Sequence, residues 1–242
     1  MFSTFATAKS KDVLIVHSYH HGFFWTDQFQ QGLNDIFQDT DITSRVLYLD
    51  TKRLQSDEYL DQLYRLYKTK FNEEKYDAIV VSDNNALELM QRLAPELNNT
   101  PVIFGGINNY EPEIHQDLNA TGVTENINIA ANLSLIERIQ TDGKKIYIVT
   151  DNSKTGEIVR QQVRELLSNQ VELQGKVEQI VPKSFTELLD FVSQVDTKSS
   201  VVLAVFYRGE DGWITSLRDV QQITKTSRAP VYMVHDQGLG LG

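Results

Sequence analysis

The sequence contains no cysteine among its 242 residues, and it has no run of 18 or more apolar residues. The first absence excludes disulfide frameworks, thiolate metal sites and cysteine nucleophiles, and the second leaves no segment that predicts a membrane-spanning helix. Positive charge is also scarce, because 23 Lys and Arg stand against 33 Asp and Glu, a formal net charge of −10. That balance argues against nucleic acid or an anionic membrane surface as the main partner.

Common catalytic and cofactor motifs are missing as well. There is no HExxH and no GxSxG, and the GLGLG at 238–242 has no following helix to make a dinucleotide-binding turn. His17, His20 and His21 lie within five residues, but successive side chains at a strand end point to opposite faces, which disfavours a shared metal. Asp83 and Glu125 could form an acid/base pair, yet nothing places a nucleophile beside them. We therefore expect no metal, no cofactor and no enzymatic activity.

What is present is globular composition, with 40% hydrophobic, 23% charged and 10% aromatic residues. Residues 1–10, MFSTFATAKS, contain Ala6-Thr7-Ala8, which fits the small-x-small end of a secretory signal. A flexible tail explains this stretch equally well, and both interpretations stay open. The remainder predicts two lobes, an N-terminal one at 11–120 and a C-terminal one at 121–242.

Short apolar runs alternate with amphipathic segments along both lobes, a pattern typical of parallel sheets covered by helices. Between the lobes, residues 105–126 are rich in Gly and Asn without a clear period, which predicts the inter-domain crossing. The fold class expected is α/β, with two doubly wound parallel-sheet lobes. Predicted strands are Val13–Ser18, Ser44–Leu49, Ala78–Ser82, Val102–Gly105, Lys145–Thr150, Val177–Val181, Val201–Phe206 and Val231–Val234. Predicted helices are Thr26–Phe37, Asp57–Phe71, Asn85–Leu93, Ile129–Ile139, Thr155–Leu167, Phe185–Val195 and Ile214–Thr224.

Nearly every predicted strand ends in hydroxyl, amide or carboxylate groups, and ligands of open parallel sheets bind beyond those carboxyl ends. Many of these groups are also ordinary helix caps; Ser82-Asp83 and Asp151 are examples. Capping does not account for the Tyr, Trp and Arg residues at the same positions. Polar groups together with aromatic rings suit a small polar molecule that has an apolar part.

Several segments occur in a familiar order: VLIVHSYHHGFFWTD (13–27), YDAIVVSDNNALEL, TPVIFGGINN, TGVTENINI and VYMVHDQGLGLG. Together they resemble the extracytoplasmic sensor domains of bacterial sensor histidine kinases and diguanylate cyclases. These domains are similar to ABC-transporter substrate-binding proteins of the type I periplasmic-binding fold. The resemblance covers nearly the whole chain and implies two lobes joined by a hinge, with a ligand clamped between them. Relatives continue beyond the segment matching HDQGLGLG, which predicts that this chain is C-terminally truncated in its second lobe or hinge.

The resemblance and the strand ends together predict a ligand-binding set with no catalytic or metal-binding member. The set comprises Ser18, Tyr19, His20, Trp25, Ser82, Asp83, Asn84, Gly106, Asn108, Glu125, Asp151, Tyr207, Arg208 and Asp236.

The function implied is a periplasmic small-molecule sensor domain of an inner-membrane receptor, a histidine kinase or diguanylate cyclase in which lobe closure is the signal. The full-length protein would be anchored in the membrane, and it could be a homodimer. One alternative is a free substrate-binding protein of an ABC importer, and another is a cytosolic α/β enzyme. Amino acids, polyamines, sugars and autoinducer-like molecules remain open as ligands.

Overall fold

The computed structural model describes residues 10–108, 110–235, 238, 240 and 241. The backbone divides into two compact units, Met1–Asn126 and Ile127–Gly242. Each unit contains one parallel sheet with helices between its strands, so the predicted fold class of two α/β lobes is confirmed. Within the described ranges, no helix is long and apolar enough to cross a bilayer.

The first unit is built on a five-stranded sheet in the order β2-β1-β3-β4-β5, with every neighbouring pair parallel. Its strands are β1 (Lys11–His17), β2 (Ile42–Tyr48), β3 (Ala78–Ser82), β4 (Val102–Ile107) and β5 (Ala120–Thr124). Its helices are α1 (Phe24–Phe37), α2 (Asp57–Glu73), α3 (Asn84–Arg92) and α4 (Ala94–Leu97), with a 3-10 helix at Pro112–His115.

Helices cover this sheet on both faces because its central strands are apolar throughout. Leu14 and Val16 pack with residues of α2 and α3 on one face. Val13 and Ile15 alternate with them and pack on the other face, against the apolar side of α1. Burial on two faces explains why residues 13–16 have no polar member, as expected for a central parallel strand.

Strand β5 corrects the sequence-based interpretation of residues 105–126 as an aperiodic crossing. It pairs in parallel with β4, so the first unit extends to Asn126 and does not end at residue 120. The pattern was hard to recognise because β5 is a short edge strand, largely exposed, with a glycine at its centre. Gly122 is there for packing, since a Cβ at this position would lie 2.0 Å from the Phe104 carbonyl oxygen.

The second unit contains a four-stranded parallel sheet in the order β7-β6-β8-β9. Its strands are β6 (Ile146–Thr150), β7 (Val177–Ile180), β8 (Ser200–Val205) and β9 (Val231–Met233). Its helices are α5 (Ile129–Ile139), α6 (Lys154–Asn169), α7 (Val171–Gln174), α8 (Phe185–Gln194) and α9 (Leu217–Thr226).

Helix α9 begins three residues later than the apolar periodicity predicted. Ser216 is its N-cap and forms a capping box with Asp219, which satisfies free amides of the first turn. The residue predicted to begin the helix, Ile214, instead forms an antiparallel bridge with Arg208. The apolar character of Ile214 therefore reflects packing beside the end of β8 and not a helical face.

Candidate functional site

Strand register brings the first group of predicted site residues to one edge of the first sheet. His17 at the end of β1 lies opposite Ser82 at the end of β3, and Ser82 lies opposite Gly105 in β4. Since β1 has β2 on one side and β3 on the other, the connections leave in opposite directions between β1 and β3. A crevice opens at such a switch point, and this is where open α/β sheets bind ligands.

Ser18 is fully buried at this switch point and its hydrogen bonds are made inside the protein. Its Oγ donates to the Ser82 carbonyl oxygen at 2.7 Å and accepts from the Ala86 amide at 2.8 Å. Its carbonyl oxygen accepts from both the amide and the Oγ1 of Thr51, at 2.9 and 2.6 Å. Ser18 thus joins three chain segments, and its contact with a ligand stays a prediction that this packing does not favour.

Ser82 is likewise fully buried and pairs with His17, whose Nδ1 lies 2.8 Å from the Ser82 Oγ. The other ring nitrogen of His17 lies 2.8 Å from the Oε1 of Gln30, whose own amide nitrogen donates to Asn34. Gln30 Oε1 is an acceptor, so Nε2 of His17 carries the proton and Nδ1 accepts from the serine hydroxyl. Burial lowers the pKa of His17, although the Gln30 hydrogen bond opposes that shift, and the ring is held neutral.

We expect the first unit to lose stability as the pH falls below 6.5, the ordinary histidine value, towards the lowered pKa of folded His17. The unfolded chain takes up a proton in this window and the folded ring does not, so acid favours unfolding. Urea titrations from pH 7.5 to 5, followed by Trp25 fluorescence in a Trp213→Phe background, measure this loss. His17→Gln should flatten the dependence, and His20→Gln tests the second buried imidazole. An unchanged slope in His17→Gln would contradict the assignment.

Asn84 and Asn108 hold the ends of β3 and β4 together. The Asn84 amide nitrogen donates to the Asn108 carbonyl oxygen at 2.9 Å, and the Asn108 backbone amide donates to Asn84 Oδ1 at 3.0 Å. Both residues are buried, with 7% and 8% of their surface exposed. This reciprocal pair fixes the loop after β4, which positions the neighbouring Gly106.

Asp83 is buried as the N-cap of α3 and has a positive φ of 68°. Its carboxylate accepts from the Asn84 amide at 2.6 Å and from the Tyr19 hydroxyl. Burial raises the pKa of Asp83, and the positive charge of Lys52 is the main influence that opposes this. Lys52 is only 4% exposed, and its Nζ lies 4.1 Å from the centre of the Tyr19 ring. Tyr19, Lys52 and Asp83 therefore form one buried polar cluster.

An aromatic surface adjoins this cluster. The half-buried Trp25 ring packs so closely on Gly106 that a Cβ there would lie 2.4 Å from Trp25 Cζ2. The Glu125 Oε2 lies 3.5 Å from the same Cβ position, so the indole and a carboxylate flank Gly106. Tyr19 contacts the indole edge to face, with ring centres 6.2 Å apart. We call Tyr19, Trp25, Gly106 and Glu125 the aromatic–acid surface.

His20 lies beside this region on the loop before α1. Its Nδ1 is 3.3 Å from Asp50 Oδ1, but neither atom makes a hydrogen bond to the described residues. Burial lowers the pKa of His20, with the charge of Arg53 adding to the shift and that of Asp50 opposing it. The ring is therefore neutral at pH 7, and the contact with Asp50 is polar rather than ionic.

Asp151, predicted to face a ligand from the second unit, is 1% exposed and binds backbone amides. Its Oδ2 accepts from the amides of Tyr207 and Arg208, at 2.8 and 3.2 Å. Its Oδ1 accepts from the amide of Ser153 at 2.9 Å and also from the Ser153 hydroxyl. The carboxylate therefore ties the end of β6 to the segment after β8, and ligand contact by Asp151 stays a prediction.

Three further predicted residues belong to the second unit. Tyr207 and Arg208 follow β8 and are half-buried at the carboxyl edge of the second sheet. Asp236 lies outside the described residues. Tyr207 packs against the core that includes Ile148 and Val202, so part of its ring serves stability.

Lys52 was missed by the sequence reasoning. The strand end Leu49-Asp50-Thr51 was recognised, and Lys52 follows it directly. A lysine after a strand is most often solvated, and periodicity gives no sign of burial. Only the turn that begins at Asp50, which has φ of 55°, brings the side chain back under Tyr19.

The two cavities described in this structure lie apart from the predicted site residues. The part of the chain that the structure describes has no group of three or more His, Asp or Glu that could hold a metal ion. A cavity of about 430 Å³ lies beside α9 and the start of β9. One of about 50 Å³ lies at the amino ends of β6 and β8. Both are in the second unit, and neither is lined by a residue of the predicted set.

Solved structures share this architecture over nearly the whole chain. A conserved domain protein from Vibrio cholerae matches with a TM-score of 0.63 and 15% identity, over 97% of this chain and 77% of that chain. An ABC domain in complex with L-Trp from Streptococcus pneumonia matches with a TM-score of 0.64 and 17% identity, over 97% of this chain and 77% of that chain. The chain has the type I periplasmic-binding-protein-like fold.

Another structure with the periplasmic-binding-protein-like fold is a carbohydrate transporter from Acidothermus cellulolyticus in complex with myo-inositol. It matches with a TM-score of 0.59 and 12% identity, over 93% of this chain and 74% of that chain. No family model and no curated protein matches the sequence. The resemblance expected from the sequence motifs is thus confirmed at the level of the fold, and function has to be argued from the site.

Proposed function

We propose that this chain binds a small polar molecule with an apolar or aromatic part at the carboxyl edge of its first sheet. The observation that carries the proposal is the aromatic–acid surface at the switch point. The Trp25 indole and the Glu125 carboxylate flank Gly106, and the Tyr19 ring contacts the indole edge to face. An aromatic face beside a carboxylate suits ring stacking and contact with an amine or hydroxyl group.

The second unit would supply the remaining contacts. Asp151 is already used for backbone amides, so Tyr207 and Arg208 are the side chains we propose for the ligand, with Asp236 as predicted from the motif. A ligand that contacts both units favours a closed arrangement by its higher affinity for that state. A differential affinity of a few kcal/mol suffices to shift such an equilibrium.

We propose further that this binding serves signalling in an extracytoplasmic receptor domain. The motif resemblance to sensor domains of histidine kinases and diguanylate cyclases supports this role. A binding protein of an ABC importer is the second candidate, and the transporter with myo-inositol and the ABC domain with L-Trp favour it. Gene context distinguishes the receptor role from the importer role. A membrane-spanning segment downstream in the same reading frame indicates a receptor, whereas adjacent permease and ATPase genes indicate import.

An enzymatic function is less well supported by the geometry. His17 and Ser82 form a hydrogen-bonded pair that resembles a base beside a nucleophile. Both are fully buried, and the remaining nitrogen of His17 is occupied by Gln30. A substrate could not reach the serine hydroxyl without opening the strand ends. We therefore propose that the domain binds its ligand and does not catalyse a reaction on it.

Thermal shift and scattering measurements test the binding proposal. We expect one class among amino acids, polyamines, sugars and autoinducer-like molecules to raise the melting temperature, since ligand at about 100 times its Kd adds about 2.7 kcal/mol. The same compound should lower the radius of gyration if the units close. Trp25→Ala should abolish the shift, whereas Trp213→Phe should preserve it. Binding is refuted if no compound in any class changes the melting temperature.

A further inference from the structure

Asp83 has a backbone conformation that glycine adopts readily and other residues rarely do. Its φ and ψ angles are 68° and 167°. The region with positive φ and ψ near 180° is occupied almost only by glycine, and any other residue there is strained. Asn98 also has a positive φ, of 52°, but its ψ of 42° places it in the left-handed helical region that asparagine tolerates. Asp83 is therefore the more strained of these two residues, and an aspartate in this conformation requires a reason.

Helix capping does not explain the strain. Asp83 is the N-cap of α3, yet its carboxylate accepts from the amide of the next residue, Asn84. The amide three residues on, that of Ala86, donates to Ser18 Oγ at 2.8 Å, so Ser18 takes the ordinary capping role. Five other N-cap residues accept from the amide three residues on and have negative φ: Ser56, Asn128, Ser153, Ser184 and Ser216. Capping a helix in this protein therefore does not require positive φ.

The Asp83 carboxylate is directed towards Tyr19, whose hydroxyl donates a hydrogen bond to it. The two residues are 6% and 5% exposed. Burial raises the pKa of Asp83, so a carboxylate in this place is unfavourable for a second reason besides the backbone strain. Glycine would relieve both. That the chain has an aspartate here indicates that the hydrogen bond to Tyr19 has a use.

The backbone around Asp83 is fixed on both sides. The Asp83 amide donates to the Gly105 carbonyl oxygen at 2.9 Å. The carbonyl oxygen of Ser82, directly before it, accepts from the amide and from the Oγ of Ser18, at 3.1 and 2.7 Å. A strained residue persists only where the surrounding structure holds it in this way. The carboxylate is therefore an acceptor at a fixed position for the Tyr19 hydroxyl.

We propose that Asp83 is a positioning residue for the aromatic–acid surface, and that its strained backbone serves to aim the carboxylate at the Tyr19 hydroxyl. Tyr19 contacts the Trp25 indole edge to face, so a fixed Tyr19 ring holds one side of the indole. The role requires no contact between Asp83 and a ligand. This inference rests on the proposed function, because the surface that Asp83 fixes is the proposed binding surface. Preorganised side chains lose less conformational entropy on binding, so the ligand binds more tightly.

Urea unfolding of paired variants measures the strain. Asp83→Gly and Asp83→Ala both remove the carboxylate, but only glycine relieves the backbone. Ser56→Gly and Ser56→Ala are the matched controls, because Ser56 caps α2 in the same unit with φ of −67°. We expect the midpoint of the glycine variant to exceed that of the alanine variant by about 0.5 M more urea at position 83 than at position 56. Equal differences at the two positions would contradict the strain.

Trp25 emission tests whether Asp83 acts through Tyr19. A Trp213→Phe background restricts the emission to Trp25. Asp83→Gly and Tyr19→Phe should each shift the emission to longer wavelength, and the double variant should shift it no further. Ser56→Gly should leave it unchanged, as expected for a residue that only caps a helix. Unaltered emission in Asp83→Gly, or additive shifts in the double variant, overturns the positioning role.

Binding is measured separately, by calorimetry with 2-phenylethylamine, which has a ring for Trp25 and an amine for Glu125. Asp83→Gly should weaken its binding at least about tenfold, and unchanged affinity overturns the role of Asp83. The emission measurements use no ligand, so they decide the positioning role independently of binding. If neither 2-phenylethylamine nor any compound of the thermal-shift screen binds the unsubstituted protein, the proposed function fails, whereas the coupled emission shifts would still support the positioning of the indole by Asp83.

Discussion

Asp151→Ala should lower the free energy of unfolding of the second unit by about 3 to 5 kcal/mol. The substitution removes the carboxylate that accepts hydrogen bonds from the backbone amides of Ser153, Tyr207 and Arg208. Asp151 is only 1% exposed, so these amides are left without an acceptor in a buried region. Buried donors without partners cost more than an average hydrogen bond contributes. Asp151→Asn should cost less, because the amide oxygen can still accept while the NH₂ group cannot.

The two tryptophans allow this prediction to be measured in the correct unit. Trp25 lies in the first unit and Trp213 in the second, where it stacks on Phe185 with ring centres 4.5 Å apart. Urea unfolding followed by fluorescence in a Trp25→Phe background therefore reports the second unit. Asp190→Ala, at an exposed position on α8, is the control and should change stability by less than about 0.5 kcal/mol. A similar small change in Asp151→Ala would show that the amides find other acceptors.

Gly106→Val should reduce ligand affinity at least about a hundredfold. A Cβ at this position would meet Trp25 Cζ2 at 2.4 Å and Cη2 at 2.7 Å, so the indole has to move. The backbone adds strain, because φ is 71° and a β-branched residue rarely adopts this conformation. Gly106→Ala should have the same effect to a smaller degree.

Displacement of the indole can be observed without a ligand. In a Trp213→Phe background, Gly106→Val should shift Trp25 emission to longer wavelength as the ring becomes more exposed. Gly32→Ala is the control: Gly32 lies within α1, a methyl group added there would meet nothing within 4 Å, and the substitution should leave emission unchanged. Unaltered emission and unaltered affinity in Gly106→Val would remove Trp25 from the proposed site.

Much of the fold could be predicted because its central strands are simple in sequence. The apolar runs at Val13–Ser18 and Ala78–Ser82 predicted β1 and β3 closely, since strands buried on both faces have no polar position. Edge strand β5 was not predicted, because an exposed strand with glycine and threonine has no such signal. The start of α9 depended on the Ser216 capping box, which apolar periodicity does not reveal.

The sequence predicted which of the candidate residues lie at the edge of the first sheet, but not the role of each side chain. Strand register places Ser18, Ser82 and Asn84 at the expected edge of the sheet. Their polar groups, however, form hydrogen bonds inside the protein: Ser18 donates to the Ser82 carbonyl oxygen, and Asn84 donates to the Asn108 carbonyl oxygen. Polar residues at strand ends have the same composition whether they join backbone segments or face a ligand. The contact of Trp25 with Gly106 depends on residues about 80 positions apart in the chain, and no local pattern encodes it.

By itself the sequence determined the fold class, the polar character of the sheet edges and the exclusion of cysteine chemistry, because periodicity and composition are local properties of the chain. Only the tertiary structure decided that Asp151 binds backbone amides, that Lys52 is buried over Tyr19, and that Trp25 lies on Gly106. These facts depend on which distant segments meet when two parallel sheets form. The same side chain serves stability or recognition according to the partners that the fold brings to it.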